Sequence, residues 1–363
     1  MNLNLWANGD RLQGGLEYNS DLFTAKNNLV LARGAQRNYD LPVITMTQTE
    51  RAQLLHTLAR SNTGDMTQLS YRCKKQFIAL TTLKVEEFEE LLPYFSARWH
   101  QFIKHFSFRR KRRKKPLTGA QIENATQLLK QDLEKLFFIL YFFKNGHIQE
   151  SLAAQFQMNQ GHISRWVKIL MPILEKSIKD LHLQPARSMP ELVKLFRNRQ
   201  EKDTLSNCES AESLHLDATE RMIQRNIDVK AQEQDYSGKK GTHTVKNSVL
   251  NDEYQFIHFV GSTFPGPTSD KVMADLELSD FSELQKWKLW FTKDKGYQGY
   301  QPKGVHLLEP FKAVRNKPLT KLQKEYNSWL SSIRIVGEHV MSGIKRCRIV
   351  KDELRYFSST FRD

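Results

Sequence analysis

Cysteine and long apolar runs are both scarce in this sequence, and each scarcity excludes a class of protein. Three cysteines in 363 residues, Cys73, Cys208 and Cys347, lie far apart with no Cys-x-x-Cys spacing. That excludes a disulfide scaffold and a cysteine-based zinc site, and it favours a reducing compartment. The longest unbroken apolar run, Leu136 to Phe143, is far short of the roughly 20 residues that span a bilayer, so no membrane partner is expected. Met1 to Gly15 carry no positive segment followed by an apolar stretch, so no secretion signal is read and a cytoplasmic place is expected. Negative charge is the scarcer sign: 40 Asp plus Glu stand against 55 Lys plus Arg, a net charge of +15. Such a balance points to a polyanionic partner, nucleic acid before membrane. At roughly 150 residues per domain, the length allows two or three compact units.

The positive charge is concentrated. Residues 109 to 115 read Arg-Arg-Lys-Arg-Arg-Lys-Lys before Pro116, and seven adjacent like charges repel too strongly for a packed helix. The sequence predicts a flexible basic linker over 108–118. Either it is a solvated tether, or Arg109, Arg110, Lys111, Arg112 and Arg113 meet phosphates and release counterions.

Around that linker the organisation changes stretch by stretch. Residues 1–45 show neither helical nor strand periodicity and read as a poorly structured extension, while 46–107 read as a helical amino-terminal region. Residues 119–183 form a second helical group. In it Gln121 to Phe143 is predicted as one helix with a buried end, followed by Gln149-Glu-Ser-Leu-Ala-Ala-Gln-Phe, a short turn, and a helix from Gln160. Two short helices joined by such a turn make the helix-turn-helix pattern. On the second helix Ile163, Trp166, Val167 and Leu170 form the core face. Gln160, Ser164, Arg165 and Lys168 are the candidates to read DNA from the other side. Any helical hairpin has a comparable pattern, so the reading leans on the basic run beside it. Residues 184–209 are predicted as a linker.

From residue 210 to 363 the order becomes strands, helix, strand, long helix, the pattern of an α/β domain. Ser213-Leu-His-Leu-Asp217 and Lys288-Leu-Trp-Phe-Thr-Lys-Asp294 are both strands ending in an acid. If they are neighbours, the two carboxylates share one edge. On the last helix Ile333, Val336, Val340 and Ile344 make an apolar line, and Arg334, Glu338, Ser342 and Lys345 the opposed stripe, so Glu338 can point at the other two acids. Three carboxylates brought together repel, and the usual remedy is a hard divalent cation. Mg²⁺ or Mn²⁺, two ions about 4 Å apart, suits in-line phosphodiester displacement. The alternative is three unrelated surface acids among the forty.

These residues carry a resemblance. The blocks Leu214-His-Leu-Asp-Ala-Thr-Glu-Arg, Tyr236-Ser-Gly-Lys-Lys-Gly-Thr-His-Thr-Val-Lys, Phe264-Pro-Gly-Pro-Thr-Ser-Asp-Lys, Asp294-Lys-Gly-Tyr-Gln-Gly and Ile333-Arg-Ile-Val-Gly-Glu-His-Val together resemble the DDE transposases of bacterial insertion sequences. The likeness is to the insertion sequence 5 group, which is related to the Harbinger elements. Leu83 to Leu174 is similar to that family's amino-terminal region, leaving residues 1–45 outside.

The resemblance implies an RNase H-like catalytic domain, a mixed sheet flanked by helices, preceded by an all-α helix-turn-helix domain. It implies Asp217, Asp294 and Glu338 as catalytic and metal-binding acids. Arg334 falls four positions before the Glu, and Lys345 matches a later basic residue. Ser331 stands where the family often has a Tyr, and relatives usually continue through a further helix beyond Asp363. Asp270 rivals Asp294 as a ligand but is expected to cap its helix or hold the loop instead. Lys239, Lys240 and His243 are read as substrate-phosphate contacts or as a solvated hairpin edge. Trp287 and Trp290 are expected to pack in the core.

The function implied is a transposase that binds terminal repeats, cuts with metal-activated water and joins the 3′ hydroxyl to target DNA. It would act as a homo-oligomer on double-stranded DNA in the bacterial nucleoid. A plain nuclease, and a DNA-binding remnant or repressor that does not cut, are the alternatives.

Overall fold

The computed structural model describes residues 74–123, 125–126, 128–202, 213–313 and 318–354. The extension expected over 1–45, and the part of the helical region before residue 74, lie outside the described residues. The chain divides into two compact units between Gln184 and Pro185.

Helices α1 (Lys74–Thr81), α2 (Val85–His105), α3 (Gly119–Glu123), α4 (Asp132–Asn145), α5 (Gln149–Gln155) and α6 (Gln160–Asp180) make up the amino-terminal unit. Along α2, Phe88, Leu91, Phe95, Trp99 and Ile103 recur every three or four residues and are all buried, which is one helical face. On α6 the same spacing buries Ile163, Trp166, Val167, Leu170 and Leu174. The two lines meet where Trp99 and Trp166 pack with ring centroids 5.7 Å apart. Helix α4 is buried from Leu133 to Phe143, as an all-round apolar segment should be. Asn159 starts α6 by accepting the His162 N–H at 2.8 Å.

Two expectations for this unit are corrected. The single helix expected over 121–143 is broken. Leu129 sits at φ +50°, a left-handed conformation that no right-handed helix of L-residues continues through. The chain then restarts at α4, where the Glu134 carboxylate accepts the Gln131 N–H at 3.0 Å. Nor is the basic segment a free tether: it is a tight turn against the end of α2. The Ser107 N–H donates to the Lys111 carbonyl and the Ser107 carbonyl accepts from Arg110 N, both at 2.8 Å, and Arg113 N donates to the His105 carbonyl at 2.8 Å. The Arg113 guanidinium reaches the carbonyls of Ile103 and Phe106, and Phe108 sets its edge on Trp166 at 4.6 Å. Repulsion rules out a helix here but not a turn, because a turn fans its side chains into solvent and lets one cation answer the partial negative charge at a helix end.

The second unit runs in order α7 (Met189–Lys202), β1 (Ser213–Met222), α8 (Val229–Asp235), β2 (Tyr236–Ser237), β3 (Thr242–Asp252), β4 (Ile257–Val260), β5 (Phe264–Pro265), α9 (Asp270–Glu277), β6 (Trp290–Lys293), β7 (His306–Leu308), α10 (Lys321–Ile344) and α11 (Arg348–Lys351). Part of the linker expected over 184–209 is therefore helix. Leu192, Val193 and Phe196 of α7 lie on one face and join the core with Leu214, Leu216, Leu250 and Phe291. Residues 203–209 lie outside the described residues.

Strands run β2-β3-β1-β6-β7, with β4 and β5 on β3. β1 pairs antiparallel with β3 and parallel with β6, giving a mixed sheet flanked by helices. Alternation along β1 sends Leu214 and Leu216 to one side, where Ala274 and Leu278 of the α9 segment join the core. His215 and Asp217 go to the other, where α10 lies.

That helix docks through a different line from the one expected. Leu330, Gly337, Val340, Met341, Gly343 and Ile344 are buried, whereas Ile333 and Val336 are only partly so. A Cβ at Gly337 would stand 3.7 Å from His215 Cβ, an ordinary van der Waals distance, so the helix lies directly against His215 at this point. Among the described residues, no helix is long and apolar enough to cross a membrane.

Candidate active site

Leu216 on β1 pairs with Lys293 on β6. The next residues in that parallel register are Asp217 and Asp294, on strands roughly 5 Å apart. The Ala218 N–H donates to Asp217 Oδ1 at 2.8 Å. Burial pushes the Asp217 carboxyl above its usual range. That backbone bond opposes the shift, Asp294 and then Asp270 add to it, and Arg334 lowers it. Two like charges at such a separation repel by about 3 kcal/mol at an effective dielectric of about 20. Arg334 offsets part of this from α10, its Nη2 lying 2.5 Å from Asp294 Oδ1.

The third expected acid stands apart. Glu338 is exposed, one helical turn beyond Arg334. Among the described residues no three His, Cys, Asp or Glu side chains close on one point as metal ligands. The donor set at the edge is nonetheless hard carboxylate oxygen, the chemistry that suits a hard divalent cation.

Asp270 reaches the same edge from the opposite layer. It was expected to cap α9, but Ser269 is the cap, its hydroxyl accepting the Val272 N–H at 3.3 Å. The Asp270 carboxylate instead meets Lys246 Nζ at 3.3 Å. Its other oxygen lies only 2.6 Å from where a Cβ at residue 296 would stand. Glycine at 296 is therefore what lets this carboxylate lie against the turn that carries Asp294. Beside it, Tyr297 is completely buried and its hydroxyl has no hydrogen-bond partner. Burial drives its phenol well above the ordinary range, and the charges of Asp217, Asp270 and Asp294 drive it further.

Below the acids runs a neutral polar row. His215 Nδ1 lies 2.6 Å from Thr292 Oγ1, and His215 faces Asn251 across the β1–β3 pair. Burial, with a contribution from Arg334 and against the pull of Asp252, brings the imidazole down to about 4. At neutral pH it is an uncharged spacer between the two strands that carry the aspartates.

Other expected contacts are not brought here. Lys239 and Lys240 are exposed at the β2–β3 turn. Thr244 near that turn pairs with Met222, about 17 Å along β1 from Asp217 by strand rise. His243 packs on Tyr236, and Lys345 is exposed at the end of α10. In the other unit Gln160, Arg165 and Lys168 are exposed and Ser164 partly so, as are Arg109, Arg110, Lys111 and Arg112 of the basic turn, whereas Arg113 is partly buried. Trp287 packs edge-on to Phe196, while Trp290 stays 38% exposed and stacks on His306. Sequence reasoning missed Lys246 and Tyr297. Both lie inside the quoted blocks, but nothing in spacing tells that a strand residue on the far face and a turn tyrosine meet the acids.

The strand expected to end at Asp217 instead runs on to Met222, and Asp217 lies in mid-strand, just where the parallel pairing of β1 with β6 stops. With Asp294 just past the end of β6, under a helix carrying Arg334 and Glu338, it defines a carboxylate edge suited to cation and phosphate chemistry. The comparisons agree in kind. Residues 216–362 match the family of DDE superfamily endonucleases, a span that holds all four acids. The chain is also 36% identical over 143 residues to the probable transposase for insertion sequence element IS702 of Microchaete diplosiphon, across 39% of this chain and 49% of that protein. It thus spans about half the length of the curated relative it matches. No solved structure matches it.

Proposed function

We propose that this protein is a DNA transposase of the DDE kind, with an RNase H-like catalytic unit. The observation that carries the reading is the placement of Asp217 and Asp294 side by side, immediately past the last pair of the parallel β1–β6 ladder, within a span that matches DDE superfamily endonucleases. The five ordered blocks add the likeness to the insertion sequence 5 group and, with it, Glu338 as third acid.

Asp217, Asp294 and Glu338 would hold divalent cations, Mg²⁺ or Mn²⁺, two in number. When bound, these supply positive charge at the phosphodiester and lower the pKa of the attacking water. The protein's own groups do the placing. The Ala218 N–H fixes one oxygen of Asp217, leaving the other to point outward. Arg334 pairs with Asp294 and is placed to offer its guanidinium to a phosphate oxygen at the same edge. Glu338, one turn further along α10, would supply the third carboxylate. Water attacks phosphorus, the bond to the 3′ oxygen breaks, and the freed 3′ hydroxyl repeats the displacement on target DNA.

Recognition falls to the α5–α6 pair as a helix-turn-helix, with Gln160, Ser164, Arg165 and Lys168 toward the terminal repeats. The basic turn supports this assignment: Phe108 ties it to Trp166 of α6, so phosphate-seeking charge and the reading helix share one scaffold. A homo-oligomer on DNA follows from the same likeness.

The test is a cleavage and strand-transfer assay on DNA bearing the element ends. D217N, D294N and E338Q should each abolish divalent-dependent cleavage and leave DNA binding largely intact. Cleavage that survives D294N but not D270N would move the second ligand to Asp270. Cutting without joining would reduce the protein to a nuclease, and binding without cutting to a remnant.

A further inference from the structure

Tyr297 is the largest unexplained group near the acids. Its side chain is fully buried, yet its hydroxyl has no partner. Leaving a buried hydroxyl unbonded forfeits the hydrogen bonds it would make to water, so a fold that retains one there needs a reason. The neighbouring Tyr300 is the contrast: equally buried, its hydroxyl donates to the Leu278 carbonyl at 2.5 Å. The charged groups that act on Tyr297 are Asp217, Asp270 and Asp294, all acceptors, and a phenol that stays protonated can only be useful to them as a donor. The acids are spread between separate holders in this state: Lys246 takes Asp270, Arg334 takes Asp294, and the Ala218 N–H takes Asp217.

We propose that Tyr297 is a positioning residue of the acidic edge: when a hard cation draws the acids together, its buried hydroxyl donates to the carboxylate of Asp217 or Asp270. A carboxylate has two oxygens, and fixing one by a hydrogen bond determines which remains for the cation. Outer hydrogen bonds of this kind orient ligands and commonly change metal affinity by roughly 10–100-fold. The inference rests on the reading of this edge as a cation site.

The experiment uses the full chain freed of metal with EDTA, with Mn²⁺ as the probe, followed by titration calorimetry and by the electron paramagnetic resonance of the free ion. Y297F keeps the ring and removes only the hydroxyl. It should weaken Mn²⁺ binding by roughly 10-fold or more, while thermal unfolding in EDTA stays at or above the wild-type temperature, because an unbonded buried hydroxyl has been removed. Y300F should do the reverse, lowering the unfolding temperature and keeping Mn²⁺ affinity. Unchanged affinity in Y297F overturns the inference alone, as does a lower unfolding temperature in EDTA, which would mean the hydroxyl already serves the fold. A wild-type chain that takes up no Mn²⁺ overturns the reading of the edge, and the inference with it.

Discussion

At the scale of single residues, the groups that matter most are charges whose partners lie far away in sequence. Asp217 feels Asp294 and Asp270 at once, and a change at any of the three alters the charge balance at the others. The amino-terminal unit offers a simpler case. Lys135 is 1% exposed, and its ammonium is held by Asp132 at 3.0 Å and by the Lys130 carbonyl at 2.9 Å. Burial lowers its pKa, and the charge of Asp132 opposes that. Asp132 in turn bonds His100 at 2.8 Å. The two halves of this pair should respond unequally. D132A strands a buried cation and should cost about 3–5 kcal/mol, whereas K135M leaves Asp132, less buried, with His100 still at 2.8 Å and should cost less. Denaturant unfolding of the two variants checks this, and equal losses would refute it. Sequence alone identifies none of these pairings: Lys135 reads as one polar residue in an apolar helix, and its carboxylate partner lies beyond what hydrophobic periodicity reports.

At the scale of elements, the basic turn is the segment whose role changes most once its conformation is known. Seven adjacent cations suggest a tether, but backbone hydrogen bonds between Ser107 and both Arg110 and Lys111, and from Arg113 to His105 at the end of α2, hold the backbone in place. If the proposed DNA binding holds, a fixed turn presents a definite set of side chains to the phosphates. Changing Arg109, Arg110, Lys111 and Arg112 to Gln should flatten the slope of log K against log salt by about 0.9 per lost contact, for about two to four contacts. Binding curves at several salt concentrations measure it, and an unchanged slope would leave the turn a purely structural clasp. The variant keeps Arg113, whose guanidinium bonds carbonyls, so folding should be preserved. Helix α10 carries the same lesson in another form. Of the apolar line read from its periodicity, Val340 and Ile344 are buried, but Leu330, Gly337 and Met341 join them in place of Ile333 and Val336, with Gly337 lying against His215.

At the scale of the whole molecule, the two units have separate cores, one of stacked helical faces and one on a mixed sheet, and all four acids belong to the second. A divalent cation at about 100 times its dissociation constant should add about 2.7 kcal/mol to that unit, raising its unfolding transition by several degrees. The helical unit should be left unmoved. Calorimetry with Mn²⁺ and with EDTA tests this, and D217N/D294N should lose the shift; a shift that persists in that variant would place the cation elsewhere. The sequence by itself determined the change from helices to strands, the burial of α4 and α6, the strands that carry Asp217 and lead into Asp294, and the excess of positive charge. Each of these is periodicity or composition, fixed by neighbours three or four residues apart. Only the tertiary structure decided that Asp270 crosses from the opposite layer to the same edge, that Lys246 and Arg334 hold the acids apart, that α7 belongs to the core and that the Tyr297 hydroxyl is enclosed without a partner. The physical reason is range. Hydrophobic pattern is local, whereas electrostatic pairing and close packing are settled between segments that meet only when the chain has folded.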